Sequence, residues 1–329
     1  MSRQLRSVLC EHPNRHGDSR VLESVPIGVR TQGDSVSGTG HALLLDRGNL
    51  KRRNRVNRVV EVVSTIAALL AVAVLLIVVG SVVSKGVGAL SIHFLTTPAG
   101  LFGDTSGGIS NAIVGTAVIV GLAALMAIPV GLLVAIFTSE FASERVAHPV
   151  RFVLDLLNGV PTIVTGIFIY GLIVVPQGRQ SGYAGAVALA IVMLPIVART
   201  AQEVLALVPG TLKEAAYALG IARWRTLLRV TLPTAAGGLL TGALLAVARV
   251  AGETAPLILV CSIFGQGVLT EPSEALSSIP VFIFQSSESP SPEAHTQAWA
   301  AALILIAFVL VLNVVARAFY ARSRKRMGA

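Results

Sequence analysis

Charged residues are scarce in this chain of 329 residues: Asp, Glu, Lys and Arg make up 13% of it, whereas hydrophobic residues make up 53%. A soluble domain of this length needs more polar surface, because its exterior must be hydrated. The composition therefore predicts a protein that spends most of its length in lipid. Its apolar runs are continuous rather than alternating, which favours membrane-spanning α-helices over a β-barrel.

Cysteine and histidine are also rare, with 2 and 6 residues respectively. Cys10 and Cys261 belong to no CxxC pair, so the sequence predicts neither a disulfide framework nor a zinc site. The histidines show no HExxH or comparable spacing, and the apolar segments contain no visible pair of nucleophile and base. We therefore expect no catalytic residue, no metal site and no cofactor in this chain.

Six hydrophobic segments follow a polar N-terminal region, and each has roughly the 20 residues that a membrane-spanning helix needs. They lie at 59–83, 110–137, 157–176, 183–203, 235–262 and 298–317. We predict an all-α, polytopic membrane protein with six transmembrane helices. The predicted parts are a mostly disordered cytoplasmic tail without a signal peptide at 1–55, a first helix and external loop at 56–109, a core of five helices at 110–317, and a basic cytoplasmic tail at 318–329.

Basic residues determine the predicted orientation in the membrane. Residues 51–58 and 322–326, which flank the first and last segments, are rich in Lys and Arg, and the loop at 205–234 has four basic residues against Glu214 alone. The positive-inside rule places both termini and this loop in the cytoplasm. The net charge of +9 then lies mainly beside the cytoplasmic leaflet, which favours contact with anionic lipid over nucleic acid.

The loop at 205–234 contains the most specific pattern in the sequence: Glu-Ala-Ala, three residues, Gly, nine residues, then Val-x-Leu-Pro. The pattern is formed by Glu214, Ala215, Ala216, Gly220, Val230, Leu232 and Pro233. The triplet predicts a short helix, and Gly220 permits a left-handed turn at its end. An ordinary amphipathic loop helix would account for the triplet alone, but the full spacing is much more specific.

This pattern resembles the EAA motif of ABC importer permeases, with Val230 in place of the usual Ile. The resemblance implies the type I ABC importer permease fold and a short helix that docks in a groove of an ATP-binding subunit. No GxxxxGK[ST] loop for binding the phosphates of ATP occurs in the sequence. ATP and Mg are therefore expected on a partner dimer of ATP-binding subunits, and this chain is expected to be a transporter and not an enzyme.

Two charged residues, Arg249 and Glu253, fall within the fifth apolar segment, where a charge is costly. In a continuous helix their spacing places both on one face, where each partly neutralises the other. One interpretation is an ion pair that only fixes helix packing. The other is an anion path, because a guanidinium donates two parallel N–H bonds to an oxyanion. Gly252 and Pro256 are expected to loosen the helix at this point.

The string from Ala248 to Pro256, together with residues 107–116 and 157–164, is similar to the PstA-type permeases of phosphate-specific ABC importers. This similarity implies that Arg249 and Glu253 lie on a path for phosphate, with Arg199 at its inner end. Snorkelling to lipid headgroups is the alternative interpretation of Arg199.

The same similarity implies a location in the cytoplasmic (inner) cell membrane and a set of partners. These are a homologous PstC-type permease, the dimer of ATP-binding subunits and an external phosphate-binding protein. An ABC importer for sulfate or molybdate would share the EAA loop, and only the string around Arg249 and Glu253 favours phosphate. A secondary transporter could instead use these two charges for ion coupling, and it would then function without an ATPase.

Overall fold

The computed structural model describes residues 50–100, 107–261 and 267–326, and the regular structure within these ranges is entirely helical. The α-helices are α1 (Leu50–Gly86), α2 (Ile92–Thr96), α3 (Ser110–Ile136), α4 (Glu144–Gly159), α5 (Thr162–Ile169), α6 (Val175–Gln177), α7 (Gly182–Ala206), α8 (Gly210–Ala218), α9 (Arg223–Thr226), α10 (Leu232–Val250), α11 (Ala255–Val260), α12 (Ile279–Glu288) and α13 (Pro292–Arg326). Three π turns interrupt this series, at Phe137–Phe141, Tyr170–Val174 and Leu227–Thr231. The predicted all-α class is confirmed.

Five helical stretches are long and apolar enough to cross a membrane, and one bent pair of helices allows a sixth crossing. The five are Arg52–Ala89, Ser110–Phe141, Gly182–Ala206, Arg223–Val250 and Pro292–Phe319. Most of the predicted tail at 1–55 lies outside the described residues. Its last residues belong to α1, which begins at Leu50, so the basic stretch before the first span is helical.

The third predicted segment, 157–176, is wrong at its start. α4 extends to Gly159, and the chain then bends by 93° before the helical stretch Thr162–Gln177. Val160 is extended, with φ −70° and ψ 128°, because the ring of the following Pro161 disfavours helical geometry in the residue before it. Hydropathy continues across this bend, whereas the helix does not.

The fifth predicted segment, 235–262, is also wrong as a single helix. α10 ends at Val250, and α11 begins at Ala255. Pro256 has no N–H to donate to the carbonyl of Gly252, and glycine itself is a poor helix former, so the expected loosening becomes an interruption. We call residues 251–254 the α10–α11 break.

The core is built on the long contact between α3 and α7, with α10 packed on α7 as well. Gly131 of α3 lies so close to α7 that a Cβ atom there would be 2.9 Å from Cγ1 of Val197. Gly238 and Gly242 of α10 form a GxxxG pair that faces Val204 and Thr200 of α7. Small residues therefore let three helices approach closely.

Candidate functional site

The EAA pattern folds into a helical hairpin, in which α8 carries Glu214, Ala215 and Ala216. The turn after α8 contains Gly220, whose φ of +74° lies in the left-handed region that favours glycine. α9 and the π turn Leu227–Thr231 follow, and Leu232 and Pro233 begin α10. We call α8, α9 and the turn between them the EAA hairpin.

The EAA hairpin and its entry expose large apolar side chains. These are Leu207, Leu212, Tyr217, Leu219 and Trp224, and Leu219 is 80% exposed. Glu214 and Ala215 are exposed beside them, whereas Ala216 is buried. Exposed large apolar side chains in one short segment, with polar residues among them, are typical of a protein-protein contact.

The α10–α11 break lies next to Arg249, the last but one residue of α10, and includes Glu253. The Arg249 side chain is exposed, and Glu253 is half-buried. Within the described ranges the ion pairs are Arg151–Glu144, Arg179–Glu274, Arg199–Asp155 and Lys213–Glu140. Arg249 and Glu253 therefore form no ion pair with each other, because the continuous helix that their i,i+4 spacing required is interrupted between them. Of the two interpretations, the structure lacks the ion pair, and the anion path stays a prediction.

A charged side chain in a membrane span is usually directed toward a partner or toward water. Irregular backbone at membrane depth is tolerated only where it is buried in protein or lines an aqueous cavity. Arg249 is exposed and pairs with no carboxylate among the described residues, and the irregular backbone of the α10–α11 break begins two residues after it. As far as the described residues are concerned, the N–H donors of its guanidinium are available to an anionic ligand.

Arg199, in contrast, is paired. Its Nε donates to Oδ1 of Asp155 at 2.8 Å, Nη2 makes a second contact with the same oxygen, and Nη1 donates to Oε1 of Gln202 at 3.4 Å. This ion pair joins α7 to α4, and it is separate from the α10–α11 break. Sequence reasoning gave no reason to pair residues 44 positions apart.

Two further contacts were missed by the sequence reasoning. Gln202 Nε2 donates to Oγ1 of Thr138 at 2.8 Å, and Lys213 Nζ donates to Oε1 of Glu140 at 2.6 Å. Thr138 and Glu140 both belong to the π turn that follows α3. The resulting set of side chains links α3, α4, α7 and α8, and we call it the helix-end network: Thr138, Glu140, Asp155, Arg199, Gln202 and Lys213.

Comparison with known proteins gives a consistent family. The model of the family described as "Binding-protein-dependent transport system inner membrane component" matches residues 127–328. The phosphate transport system permease protein PstA of Yersinia pestis is 38% identical over 245 residues, covering 74% of this chain and 83% of that protein. PstA of Haemophilus influenzae is 39% identical over 247 residues, covering 74% and 86%, and PstA 1 of Mycobacterium tuberculosis is 38% identical over 225 residues, covering 68% and 73%.

Solved structures agree on the fold. The chain is similar, with a TM-score of 0.56 and 17% identity, to a chain of a bacterial alginate ABC transporter in complex with an alginate-bound periplasmic protein, covering 82% of this chain and 96% of that chain. It is also similar to a chain of the inward-facing MetNI methionine ABC transporter, with a TM-score of 0.53, 18% identity and coverage of 65% and 94%. The fold is that of type I ABC importer permeases, and the chain belongs to the family of binding-protein-dependent transport system inner membrane components and, within it, to the PstA-type permeases.

Proposed function

We propose that this chain is the permease subunit of an ATP-driven phosphate importer and forms half of the translocation path. The observation that carries the proposal is the exposed guanidinium of Arg249, which lies beside the α10–α11 break and has no ion pair among the described residues. A fixed positive fork suits a phosphate oxyanion, because its parallel N–H groups can donate to two phosphate oxygens. The names of the PstA relatives supply the choice of phosphate.

Glu253 supports this role through its position. It is half-buried in the α10–α11 break and has no ion pair among the described residues. A carboxylate close to an anion path repels the anion and so limits its residence time, which transport requires because the substrate must also leave. Arg199 is already bonded to Asp155, and its contribution to the path is expected to be smaller.

The EAA hairpin supports the coupling half of the proposal. Its exposed leucine and aromatic side chains form a surface that a dimer of ATP-binding subunits would cover, and those subunits would bind ATP and Mg. The positive-inside rule supports a cytoplasmic location for this surface, because the loop and both termini are basic. A homologous PstC-type permease would complete the path, and an external phosphate-binding protein would deliver the substrate.

The substrate path is tested by phosphate uptake in proteoliposomes that contain the full complex with Arg249→Gln. The substitution removes the charge while keeping a polar, shorter side chain, and uptake is expected to fall about 100-fold, because charge-assisted bonds contribute about 3 kcal/mol. Sulfate and molybdate added as competitors distinguish the related importers. Unchanged uptake in this variant would refute the anion path.

The docking surface is tested by Glu214→Lys. Reversing a charge at the exposed edge of the EAA hairpin is expected to weaken association with the ATP-binding subunits and ATP-driven uptake together. Glu203→Lys is the matched control, since Glu203 is exposed on α7 and makes no ion pair among the described residues. If Glu214→Lys assembles and transports like this control, the docking role is wrong.

A further inference from the structure

The ion pair between Lys213 and Glu140 is the most buried one in the described part of the chain. The two side chains are only 22% and 11% exposed, whereas in the other three pairs each side chain is at least 35% exposed. Pairs exposed to solvent contribute little, but removing one member of a buried pair leaves an uncompensated charge. This contact therefore constrains the two elements that it joins.

Those elements are α8 of the EAA hairpin and the π turn Phe137–Phe141, and the two side chains are 73 positions apart in the sequence. Among the described contacts of α8, the bond from Lys213 is the side-chain bond that connects this helix to an element outside the EAA hairpin. The exposed face of α8 is free for a partner, and its inner side is attached through Lys213. A force applied to α8 therefore acts on Glu140.

A side chain of α7 holds the π turn Phe137–Phe141 in place. Thr138 Oγ1 accepts a hydrogen bond from Gln202 and donates to the carbonyl of Val134 at 2.8 Å, so the hydroxyl is fixed on both sides. Thr138 and Gln202 are both buried, and buried polar groups that are fully bonded define one arrangement. A displacement of the π turn therefore moves the end of α7 with it.

From α7 the displacement reaches α10 through close packing. Gly238 leaves no free space, because a Cβ atom there would lie 2.6 Å from Cγ1 of Val204, and Gly242 leaves little against Thr200. Densely packed helices transmit a shift because they cannot be compressed. α10 ends beside Arg249, so the series of contacts leads from the EAA hairpin to the α10–α11 break.

We infer that Glu140 and Lys213 are positioning residues that transmit movement of the EAA hairpin to α3, α7 and α10, and so set how much phosphate moves for each ATP hydrolysed. The inference rests on the proposed function. Neither residue touches substrate. Each acts by holding the π turn and α8 in one register.

The test uses the full complex in proteoliposomes and measures phosphate uptake and ATP hydrolysis in the same sample. Glu140→Lys and Lys213→Glu are each expected to lower the ratio of phosphate transported to ATP hydrolysed about tenfold, in the range of coupling between contacting charges. The double variant Glu140→Lys with Lys213→Glu restores an ion pair of reversed polarity. It is expected to recover the ratio to within about threefold of the wild type. Glu203→Lys is the matched charge reversal and is expected to keep the wild-type ratio.

A neutral double variant keeps the inference testable even if the single variants fail to assemble with the ATP-binding subunits. Glu140→Gln with Lys213→Gln leaves no buried charge uncompensated, so assembly with the ATP-binding subunits is expected to persist while the ratio falls about threefold. A ratio equal to the wild type in the neutral pair, or a reversed double variant no better than the single variants, would overturn the inference. If the wild-type complex itself takes up no phosphate, the proposed function fails; if it does and the variants keep its ratio, only this inference fails.

Discussion

Charged side chains form ion pairs in the helix-end network, whereas the two charged side chains at the α10–α11 break do not pair with each other. In the helix-end network Lys213 is bonded to Glu140, and Arg199 is bonded to Asp155. Arg249 lies beside the break and Glu253 within it, four residues apart, but they form no ion pair with each other. Paired charges fix the relative position of helices, whereas an unpaired charge in a span keeps its bonding capacity for something that arrives.

This difference separates two uses of ionisable residues within one chain. A substrate path needs a charge that the protein does not neutralise, and a mechanical link needs charges that neutralise each other. Reversing both members of a pair can restore a link, but it cannot restore a path, because the ligand keeps its own sign. The comparison can therefore be tested by charge exchange and by changes in packing.

The largest effect is expected from exchanging Arg249 and Glu253. Arg249→Glu with Glu253→Arg keeps the net charge and would preserve any mutual ion pair. Because the two residues do not pair with each other, phosphate uptake is expected to be about 100-fold below the wild type, in contrast to the exchange at Glu140 and Lys213. Uptake near the wild-type level would mean that the two charges act on each other, and the contrast between the two regions would disappear.

The second-largest effect is expected from overpacking the contact between α3 and α7, which lies between the two regions in the series of contacts. Gly131→Leu inserts a side chain where a Cβ atom alone would lie 2.9 Å from Cγ1 of Val197. Overpacking of this kind costs about 1–3 kcal/mol, so a lower thermal unfolding temperature of the purified complex is expected. Gly121→Leu on the same helix is the control, since nothing lies within 4 Å of a Cβ atom there. Equal unfolding temperatures for both variants would show that α3 and α7 do not constrain each other.

A smaller effect is expected at Arg199. Its ion pair with Asp155 is partly exposed, with 35% and 50% of the side chains accessible, and contributes at most about 1 kcal/mol. Arg199→Gln and Asp155→Asn are each expected to lower phosphate uptake by about threefold or less, and the double variant is expected to be no worse. A loss from Arg199→Gln as deep as that from Arg249→Gln, with Asp155→Asn active, would instead place Arg199 on the substrate path.

The smallest effect is expected at Arg179, whose pair with Glu274 spans 3.8 Å and leaves the side chains 60% and 49% exposed. Solvent screening makes such a pair nearly neutral. Arg179→Gln is expected to keep phosphate uptake and thermal stability within about 1.5-fold and about 0.5 kcal/mol of the wild type. A severe loss of uptake at constant stability would reveal a function of this pair that its exposure does not indicate.

Hydropathy was sufficient to predict the helical class and most of the membrane-crossing stretches, because a span must be apolar over its full length. It could not locate the bend after Gly159 or the α10–α11 break, since both lie within apolar sequence. In each case proline removes helical freedom or a hydrogen bond without lowering hydropathy. Gly252 and Pro256 did carry the signal, but glycine and proline within an apolar segment predict a weakened helix as readily as an interrupted one.

The candidate site was predicted in part. The EAA motif predicted a short helix with a left-handed glycine, and both are present. The i,i+4 rule failed for Arg249 and Glu253 because it presupposes one continuous helix. The bond between Lys213 and Glu140 could not be predicted, since it depends on how two distant segments pack and nothing local in either segment indicates it.

The direction of the side chains at the end of α3 depends on the number of residues in the π turn Phe137–Phe141. Its defining bond runs from the N–H of Ala142 to the carbonyl of Phe137 at 2.8 Å, so this turn holds one residue more than an α-helical turn would. Deleting Ser139 would remove this extra residue and let an ordinary α-helical turn form, with Glu140 one place earlier in the turn and the residues after the turn nearly in register. The Glu140 carboxylate would then lose the direction in which it reaches Lys213, although no atom of either residue had changed. The positioning role inferred for Glu140 therefore depends on the number of residues in this turn as well as on their identity.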